Sequence, residues 1–126
     1  MKDTRPHRNL DVWQRSIELT KSIYKISGQF PASEQYGLTS QMRRAAISIA
    51  SNISEGAARS SSKEFLQFIN IAQGSASELD TQIELAKELG YVDHKNYDNI
   101  MGTIIIISKQ LYGLAKTVKA KKAVKG

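Results

Sequence analysis

Apolar residues recur at alternating spacings of three and four along four segments of this chain, which is the period of an amphipathic α-helix. The fourth segment shows the pattern without a break, at Ile100, Ile104, Ile107, Leu111, Leu114 and Val118. Four consecutive isoleucines occur within it, at residues 104–107, and by propensity alone such a run favours a β-strand. Because the spacing continues on both sides of the run, it predicts a helix throughout.

Turn residues bound the first two predicted helices. The first helix is expected over residues 10–27, with Asn9 as its N-cap and Gly28 as the left-handed residue that follows its last turn. The second is expected over residues 37–58. Apart from its apolar stripe, this helix carries small and polar side chains, which let a neighbouring helix approach closely.

The third and fourth helices have clear start signals. Ser61 and Glu64 have the spacing of a capping box, in which each side chain satisfies a backbone N–H of the first turn. The third helix is expected to end at Gly90. Asp93 is expected to cap the fourth helix, which is predicted over residues 94–119.

Short connections between such helices favour antiparallel neighbours. The predicted fold class is therefore all-α, an antiparallel up-down-up-down four-helix bundle over residues 10–119. A disordered basic arm is expected over residues 1–9 and a disordered basic tail over residues 120–126. Gly74 lies in the middle of the third helix, where glycine costs ~1 kcal/mol relative to alanine, and close helix packing is the expected compensation.

The composition excludes several classes of protein. A length of 126 residues allows one domain, and the absence of cysteine excludes disulfides and thiolate metal sites. No apolar run approaches the ~20 residues of a membrane span. The polar, basic start predicts no signal peptide, so a cytoplasmic location is expected.

Catalytic patterns are also missing from the sequence. The two histidines, His7 and His94, lie far from the serine-rich stretch 51–62, and no glutamate precedes either of them by three residues. Neither a phosphate-binding glycine loop nor a zinc-protease motif occurs. We therefore expect no enzyme activity, no cofactor, no metal and no small-molecule substrate.

The net charge of +6 is concentrated at one end of the chain. The segment after residue 98 holds six lysines and no acid, and the remainder holds twelve basic and twelve acidic residues. A basic end of this kind either keeps the protein soluble or contacts the phosphates of a nucleic acid. The sequence leaves both interpretations open.

A second charged group surrounds the turn between the second and third helices. It comprises Arg43, Arg44, Glu55, Arg59 and Glu64. These side chains either clamp the junction between the two helices or present guanidinium groups to phosphates or to a partner's carboxylates.

The apolar positions outnumber those that one small core needs. The first helix carries two stripes, one of which includes Trp13 and Tyr24, and the fourth carries Ile105 and Ile106 outside its seam. Such surplus usually marks an association surface, so these four residues are predicted to form a homo-oligomer interface. A broader single core is the competing interpretation.

A long series of short motifs resembles the four-helix bundle proteins that are encoded in intervening sequences of bacterial 23S rRNA genes. The resemblance covers about residues 10–89, and the fourth helix matches only in general character. One departure is Ala57-Ala58, where the family often has a glycine. The matching motifs are Leu10-Asp11-Val12-Trp13, Phe30-Pro31, Glu34, Tyr36-Gly37-Leu38, Gln41-Met42-Arg43-Arg44-Ala45-Ala46, Ser51-Asn52-Ile53-Ser54-Glu55-Gly56, Glu64-Phe65, Ala72-Gln73-Gly74-Ser75 and Glu78-Leu79.

The resemblance implies an antiparallel four-helix protomer that assembles into a ring-shaped homopentamer. The fold is also similar to that of the accessory protein of diversity-generating retroelements, which binds a reverse transcriptase and its RNA through a basic surface. The name of the family reflects gene location and does not imply ribosome binding.

The leading hypothesis is a non-enzymatic homo-oligomer that associates with RNA through phosphates, without reading sequence. Two alternatives remain, an accessory subunit of a reverse transcriptase and a purely structural oligomer. The residues predicted to contact nucleic acid are Arg43, Arg44, Lys116, Lys119, Lys121 and Lys122.

Overall fold

A computed structural model describes residues 3–125, and the described residues form helices and turns without a β-strand. Each helix packs against two neighbours: the first and the third both contact the second and the fourth. The predicted all-α, antiparallel four-helix bundle is confirmed. Its helices are α1 (Asp11–Ser27), α2 (Leu38–Ala57), α3 (Ser62–Glu88) and α4 (His94–Lys125), and two short 3-10 turns occupy Pro6–Asn9 and Ala32–Glu34.

The core is built from the apolar stripes that the spacing predicts. In α4, Ile104, Ile107 and Leu111 are at most 1% exposed, and the isoleucine run is helical throughout. Burying an isoleucine or leucine side chain contributes roughly 1.5–3 kcal/mol. Because these residues fill the centre of the bundle, their packing stabilises the helix against the strand propensity of the run.

The predicted starts of α3 and α4 are confirmed, but only half of the predicted capping box forms, because the Glu64 carboxylate bonds to the Ser61 hydroxyl and not to a backbone N–H. Ser61 Oγ accepts a hydrogen bond from the backbone N–H of Glu64 at 3.1 Å, and its hydroxyl donates to the Glu64 carboxylate at 3.3 Å. Asp93 Oδ1 accepts the N–H of Asn96 at 2.8 Å. Each cap satisfies a donor that the first helical turn leaves without an intrahelical partner.

The end of α3 is also as predicted. Gly90 has a φ of +80°, in the left-handed region that glycine adopts without steric cost. The N–H of Gly90 donates to the carbonyl of Lys87, and the N–H of Tyr91 donates to that of Ala86. This pair of bonds forms a Schellman motif, which turns the chain towards α4.

The predicted extent of α1 is confirmed to within one residue, but both residues predicted to cap it are wrong. Asn9 belongs to the preceding 3-10 turn, and Leu10 stands at the N-cap position without a side-chain cap. Gly28 has a right-handed φ of −63° because the chain leaves α1 through further tight turns. In these turns the N–H groups of Gln29 and Phe30 donate to the carbonyls of Ile26 and Ser27.

The terminal segments are more regular than the sequence predicts. Helix α4 reaches Lys125 rather than ending at residue 119, because its last residues are mostly alanine and lysine, which are good helix formers. Residues 6–9 form a 3-10 turn instead of a disordered arm. The carboxylate of Asp3 pairs with Arg5 at 2.6 Å and with Arg8 at 3.6 Å beside this turn. The predicted disorder of residues 1, 2 and 126 lies outside the described residues.

Close helix packing occurs at a different glycine from the predicted one. An added Cβ on Gly74 would have no atom within 4 Å, so the packing expected there is absent. An added Cβ on Gly56 would lie 2.7 Å from Phe68 Cβ and 3.0 Å from Phe65 Cδ1. Gly56 therefore lets the end of α2 approach the start of α3.

Candidate functional site

The C-terminal part of α4 carries a group of exposed lysines. The side chains of Lys116, Lys119, Lys121 and Lys122 are all exposed, and Val118 is the last buried residue of α4 up to residue 122. Successive helical residues are rotated by about 100°, so these lysines surround the helix instead of lining one face. We call this segment, residues 116–122, the lysine end.

The register of the bundle places only the second half of the lysine end beyond the neighbouring helices. The Gln73 side chain donates to the carbonyl of Ser108 at 3.2 Å, which fixes α4 against the antiparallel α3. Counting from this pair, the start of α3 at Ser62 lies level with about residue 119. Lys121 and Lys122 therefore lie past the start of α3, whereas Lys116 and Lys119 are exposed on α4 alongside it.

The charge of the lysine end is not neutralised within the described part of the chain. None of its four lysines lies within 4.0 Å of a carboxylate of residues 3–122. One of them, Lys116, stands 5.3 Å from the centre of the Tyr112 ring. Four exposed cations so close together form a concentrated positive field, which attracts polyanions without any sequence readout.

Arg43 is held in place by the end of α1. Its Nε donates to Ser27 Oγ at 2.9 Å, and its Nη2 donates to the carbonyl of Tyr24 at 3.2 Å. The guanidinium carbon also stands 4.5 Å from the centre of the Tyr24 ring. These contacts tie α2 to α1 and leave three of the five guanidinium N–H donors for a ligand.

Arg44 points away from the core and is exposed. It lines a surface groove of about 490 Å³ together with Arg43 and the aromatic rings of Tyr24 and Tyr36. The two arginines therefore differ: Arg43 is largely committed to the fold, and Arg44 is available to a partner.

The charged group around the turn between α2 and α3 is a structural clamp. Arg59 pairs with Glu55 at 2.9 Å and with Glu64 at 3.7 Å, and its guanidinium stands 4.9 Å from the centre of the Phe68 ring. This contact confirms the structural interpretation for these residues. Arg43 and Arg44 lie three turns earlier on α2 and take no part in the clamp.

The structure separates the six residues predicted to contact nucleic acid. In the antiparallel order, the first turns of α2 and the last turns of α4 lie at opposite ends of the bundle. Arg43 and Arg44 are at one end and the four lysines are at the other. The predicted up-down-up-down order already implies this separation, which was overlooked because the six residues were grouped by charge alone.

The four residues predicted to form an oligomer interface lie in three different settings. Trp13 is half-buried against the core, with the His7 ring 4.8 Å away and the Arg8 guanidinium 4.9 Å away, so the broader core accounts for it. Tyr24 is 42% exposed beside Arg43. Ile105 and Ile106 are 45% and 42% exposed on the outer side of α4.

Sequence reasoning missed several exposed apolar side chains. Tyr112 extends the apolar surface of α4 by two turns beyond Ile105, and a closer look at its place outside the predicted seam would have found it. Tyr36 is 90% exposed in a turn, where no periodicity applies. The remaining members of this set are Ile47, Ile71, Leu85 and Leu89.

Two tyrosine–carboxylate hydrogen bonds hold the end of the bundle that bears the arginines. The Tyr97 hydroxyl donates to Glu84 at 2.6 Å, and this bond raises the pKa of Tyr97 to about 12. The Tyr91 hydroxyl donates to Glu34 at 3.0 Å, which raises the pKa of Tyr91 as well. The other carboxylate oxygen of Glu34 accepts the N–H of Leu38, so this residue also caps α2.

The described residues form neither a metal site nor a membrane span. Within residues 3–125, no group of three or more His, Asp or Glu side chains is arranged to hold a metal ion. None of the helices in the described part of the chain combines the length and the apolar character that crossing a membrane requires.

The fold and its basic surfaces define a small four-helix bundle protein, and comparison with known proteins gives the family. The sequence model of the family described as 23S rRNA-intervening sequence protein matches residues 8–113. The chain therefore belongs to the 23S rRNA-intervening sequence protein family, as the sequence motifs indicated. Among curated proteins, none matches this chain.

A solved structure supports the same assignment. It is a protein of unknown function from the S23 ribosomal protein family of Bacteroides thetaiotaomicron VPI-5482. The two proteins are 27% identical, and the match covers 83% of this chain and 98% of the other, with a TM-score of 0.75. This similarity extends the four-helix architecture to a distant relative.

Proposed function

We propose that this protein is a non-enzymatic homo-oligomer that associates with RNA, and that the lysine end of α4 contacts the phosphates. The observation that carries the proposal is the exposure of four closely spaced lysines, Lys116, Lys119, Lys121 and Lys122, at the end of α4, the last two of which lie past the start of α3. No acidic residue follows Asp98 on α4 to offset them. The proposal includes a cytoplasmic location.

A salt titration separates phosphate binding from a role in solubility. Each phosphate contact releases condensed counterions, so the logarithm of the affinity falls with the logarithm of salt concentration by about 0.7–0.9 per contact. A lysine end that only keeps the protein soluble gives no such dependence. Cations at a helix C-terminus also favour the helix dipole by a few tenths of a kcal/mol, so helicity must be followed in parallel.

The test replaces all four lysines of the lysine end with glutamine. RNA affinity, measured by fluorescence anisotropy over a range of salt concentrations, is expected to fall for all RNA sequences alike, and the salt slope to fall by about 3. The matched control replaces four exposed cations elsewhere, Arg15, Lys21, Lys25 and Lys95, with glutamine. Equal losses of RNA affinity in both variants would show that net charge, and not the position of the lysines, determines binding. No loss of affinity in either variant would refute the proposal.

The homo-oligomer in this proposal rests on exposed apolar side chains that lie on different helices. Ile105 and Ile106 lie on α4, and Ile17 lies on α1. Two unlike apolar surfaces favour a head-to-tail contact between copies, and such contacts close into a ring when the rotation permits. A ring would present several lysine ends to one RNA, and weak contacts would add through avidity.

A second candidate function is that of an accessory subunit that binds a reverse transcriptase. The exposed isoleucines of α4 favour it, because an apolar surface of this kind fits a protein partner as well as a second copy. A chain that stays monomeric, binds RNA without salt dependence and forms a stable complex with a reverse transcriptase would support this function over the first.

A further inference from the structure

The groove beside Arg44 combines features that the lysine end lacks. It lies where the last turn of α1 meets the first turns of α2, and it has a volume of about 490 Å³. On the other side of Arg43 it continues into a second depression of about 330 Å³. Its chemically distinctive lining residues are Tyr24, Tyr36, Thr39, Arg43, Arg44 and Ile47.

Two guanidinium groups supply the positive charge of the groove. Neither Arg43 nor Arg44 lies within 4.0 Å of a carboxylate of residues 3–122. Arg43 is fixed in position by its hydrogen bonds to Ser27 and to the carbonyl of Tyr24. A pre-positioned guanidinium loses little conformational entropy when it binds an anion, and its planar donors match phosphate oxygens.

The same groove offers an exposed aromatic ring. Tyr36 is 90% exposed, and Ile47, which lines the groove with it, is 44% exposed. A ring so open to water gains from stacking on a planar ligand, and every nucleic acid base provides such a plane. This part of the groove therefore fits a planar group, beside the part that fits an anion.

A threonine adds a hydroxyl to the wall between the two depressions. Thr39 is 7% exposed as a whole residue and lines both of them. A hydroxyl can both donate and accept a hydrogen bond, so Thr39 adds a polar contact that a ligand in the groove could use.

We propose that this groove binds one unpaired nucleotide of an RNA strand. The base stacks on Tyr36 beside Ile47, and the adjoining phosphate is held by Arg43 and Arg44. An acidic peptide would supply the negative charge but no planar group for Tyr36, so the observations favour a nucleotide. This inference rests on the proposed association with RNA, and it adds a contact at the end of the bundle opposite the lysine end.

The test compares two single-stranded RNA octamers that differ only in their bases. One carries uracil throughout and the other is abasic, and the binding of both to the full-length protein is measured by fluorescence anisotropy. The uracil octamer is expected to bind more tightly. Tyr36→Ala should weaken its binding roughly tenfold, as loss of one stacked base does, and should leave the abasic octamer unchanged. Tyr36→Phe keeps the ring and should keep the affinity.

Charge is tested at the neighbouring position. Arg44→Gln should weaken the binding of both octamers and lower the salt slope by about 0.7, the value for one phosphate of a single strand. Arg15→Gln removes an exposed arginine from α1 and serves as the matched control. Because Tyr36 and Arg44 are exposed, circular dichroism should show an unchanged fold in every variant.

The outcomes distinguish failure of the groove from failure of RNA association. If both octamers bind equally, or if Tyr36→Ala changes nothing while the lysine-end variant still loses affinity, the groove assignment is wrong and the proposed function stands. If the wild type binds neither octamer, both proposals fall. Uridine monophosphate should compete with the RNA only weakly. Tight binding of uridine monophosphate would overturn the assignment of an RNA strand as the ligand and identify a free nucleotide instead. Displacement of the RNA by an acidic peptide but not by uridine monophosphate would also overturn the assignment.

Discussion

Arg43 and Arg44 are adjacent in the chain, yet they make different contacts. On a helix, neighbouring residues are rotated by about 100°, so Arg43 faces α1 while Arg44 faces solvent. The partners of Arg43 are Ser27 and the carbonyl of Tyr24, which lie 16 and 19 residues away in sequence. No local pattern predicts contacts over that separation, so the sequence analysis gave the two arginines the same predicted role.

Gly56 and Gly74 permit a matched test of close packing at the residue scale. Both are helical, so replacement by alanine gains ~1 kcal/mol of helix propensity at either position. At Gly56 the new Cβ would lie 2.7 Å from Phe68 Cβ, an overlap that costs about 1–3 kcal/mol. Gly74→Ala should raise the free energy of unfolding above that of the wild type. The free energy of unfolding of Gly56→Ala should be lower than that of Gly74→Ala by the cost of the overlap.

The measurement is urea denaturation of both variants and the wild type at one protein concentration, since assembly makes apparent stability depend on concentration. Equal changes of the free energy of unfolding in the two glycine variants would show that the end of α2 and the start of α3 can move apart at little cost. Such a result would contradict the steric argument for Gly56.

At the element scale, the helices were predictable and some of their ends were not. The spacing of apolar residues survives packing because each stripe is the core face of one helix, and the Ser61 and Asp93 caps are local signals. The end of α4 carries no stop signal in its alanine- and lysine-rich sequence, so the predicted boundary at residue 119 was arbitrary. Tyr36 was missed because an isolated turn residue belongs to no repeating pattern.

The bond between Tyr97 on α4 and Glu84 on α3 predicts a pH dependence. The hydrogen bond raises the pKa of Tyr97 from 10.0 to about 12. Because the folded-state pKa is the higher one, the contribution to stability is complete below pH 10 and is lost as the pH rises from 10 to 12. Tyr91 has a pKa raised in the same direction by Glu34 and should add to the loss.

The matched variant for this effect is Tyr97→Phe, which keeps the ring and removes the hydroxyl. It should be less stable than the wild type near neutral pH, and the difference should narrow as the pH rises through the window above. Urea midpoints measured at several alkaline pH values give the comparison. A difference that stays constant would mean that the hydrogen bond does not contribute through ionisation of Tyr97.

At the scale of the whole molecule, the direction of each helix decides which basic residues can act together. Helices α2 and α4 run in the same direction. Because Arg44 lies near the start of α2 and the lysine end lies near the end of α4, most of the length of the bundle separates them. An RNA bound at both must span that length on one protomer or pass between protomers of an assembly. The charges and the alternating order of the helices were both predicted from the sequence, and together they place the two contacts at opposite ends of the bundle.

Assembly and RNA affinity are linked by the exposed isoleucines of α4. Replacing Ile105 and Ile106 with glutamate places two charges on the surface proposed to contact a second copy, and should reduce the particle to the protomer mass of 14.0 kDa in multi-angle light scattering. The exposed Thr81→Glu change on α3 is the control and should leave the mass unchanged. A wild type that is itself monomeric in dilute solution would contradict the oligomer.

The same double variant of Ile105 and Ile106, expected to be monomeric, tests whether the lysine ends act together. If several lysine ends bind one RNA, loss of the oligomer reduces the number of phosphates neutralised in each complex. Both the affinity and the salt slope should then fall, although no lysine has been changed. Unchanged binding per protomer would mean that each lysine end acts alone. In that case RNA association would survive without the assembly, and the exposed isoleucines would require a different partner.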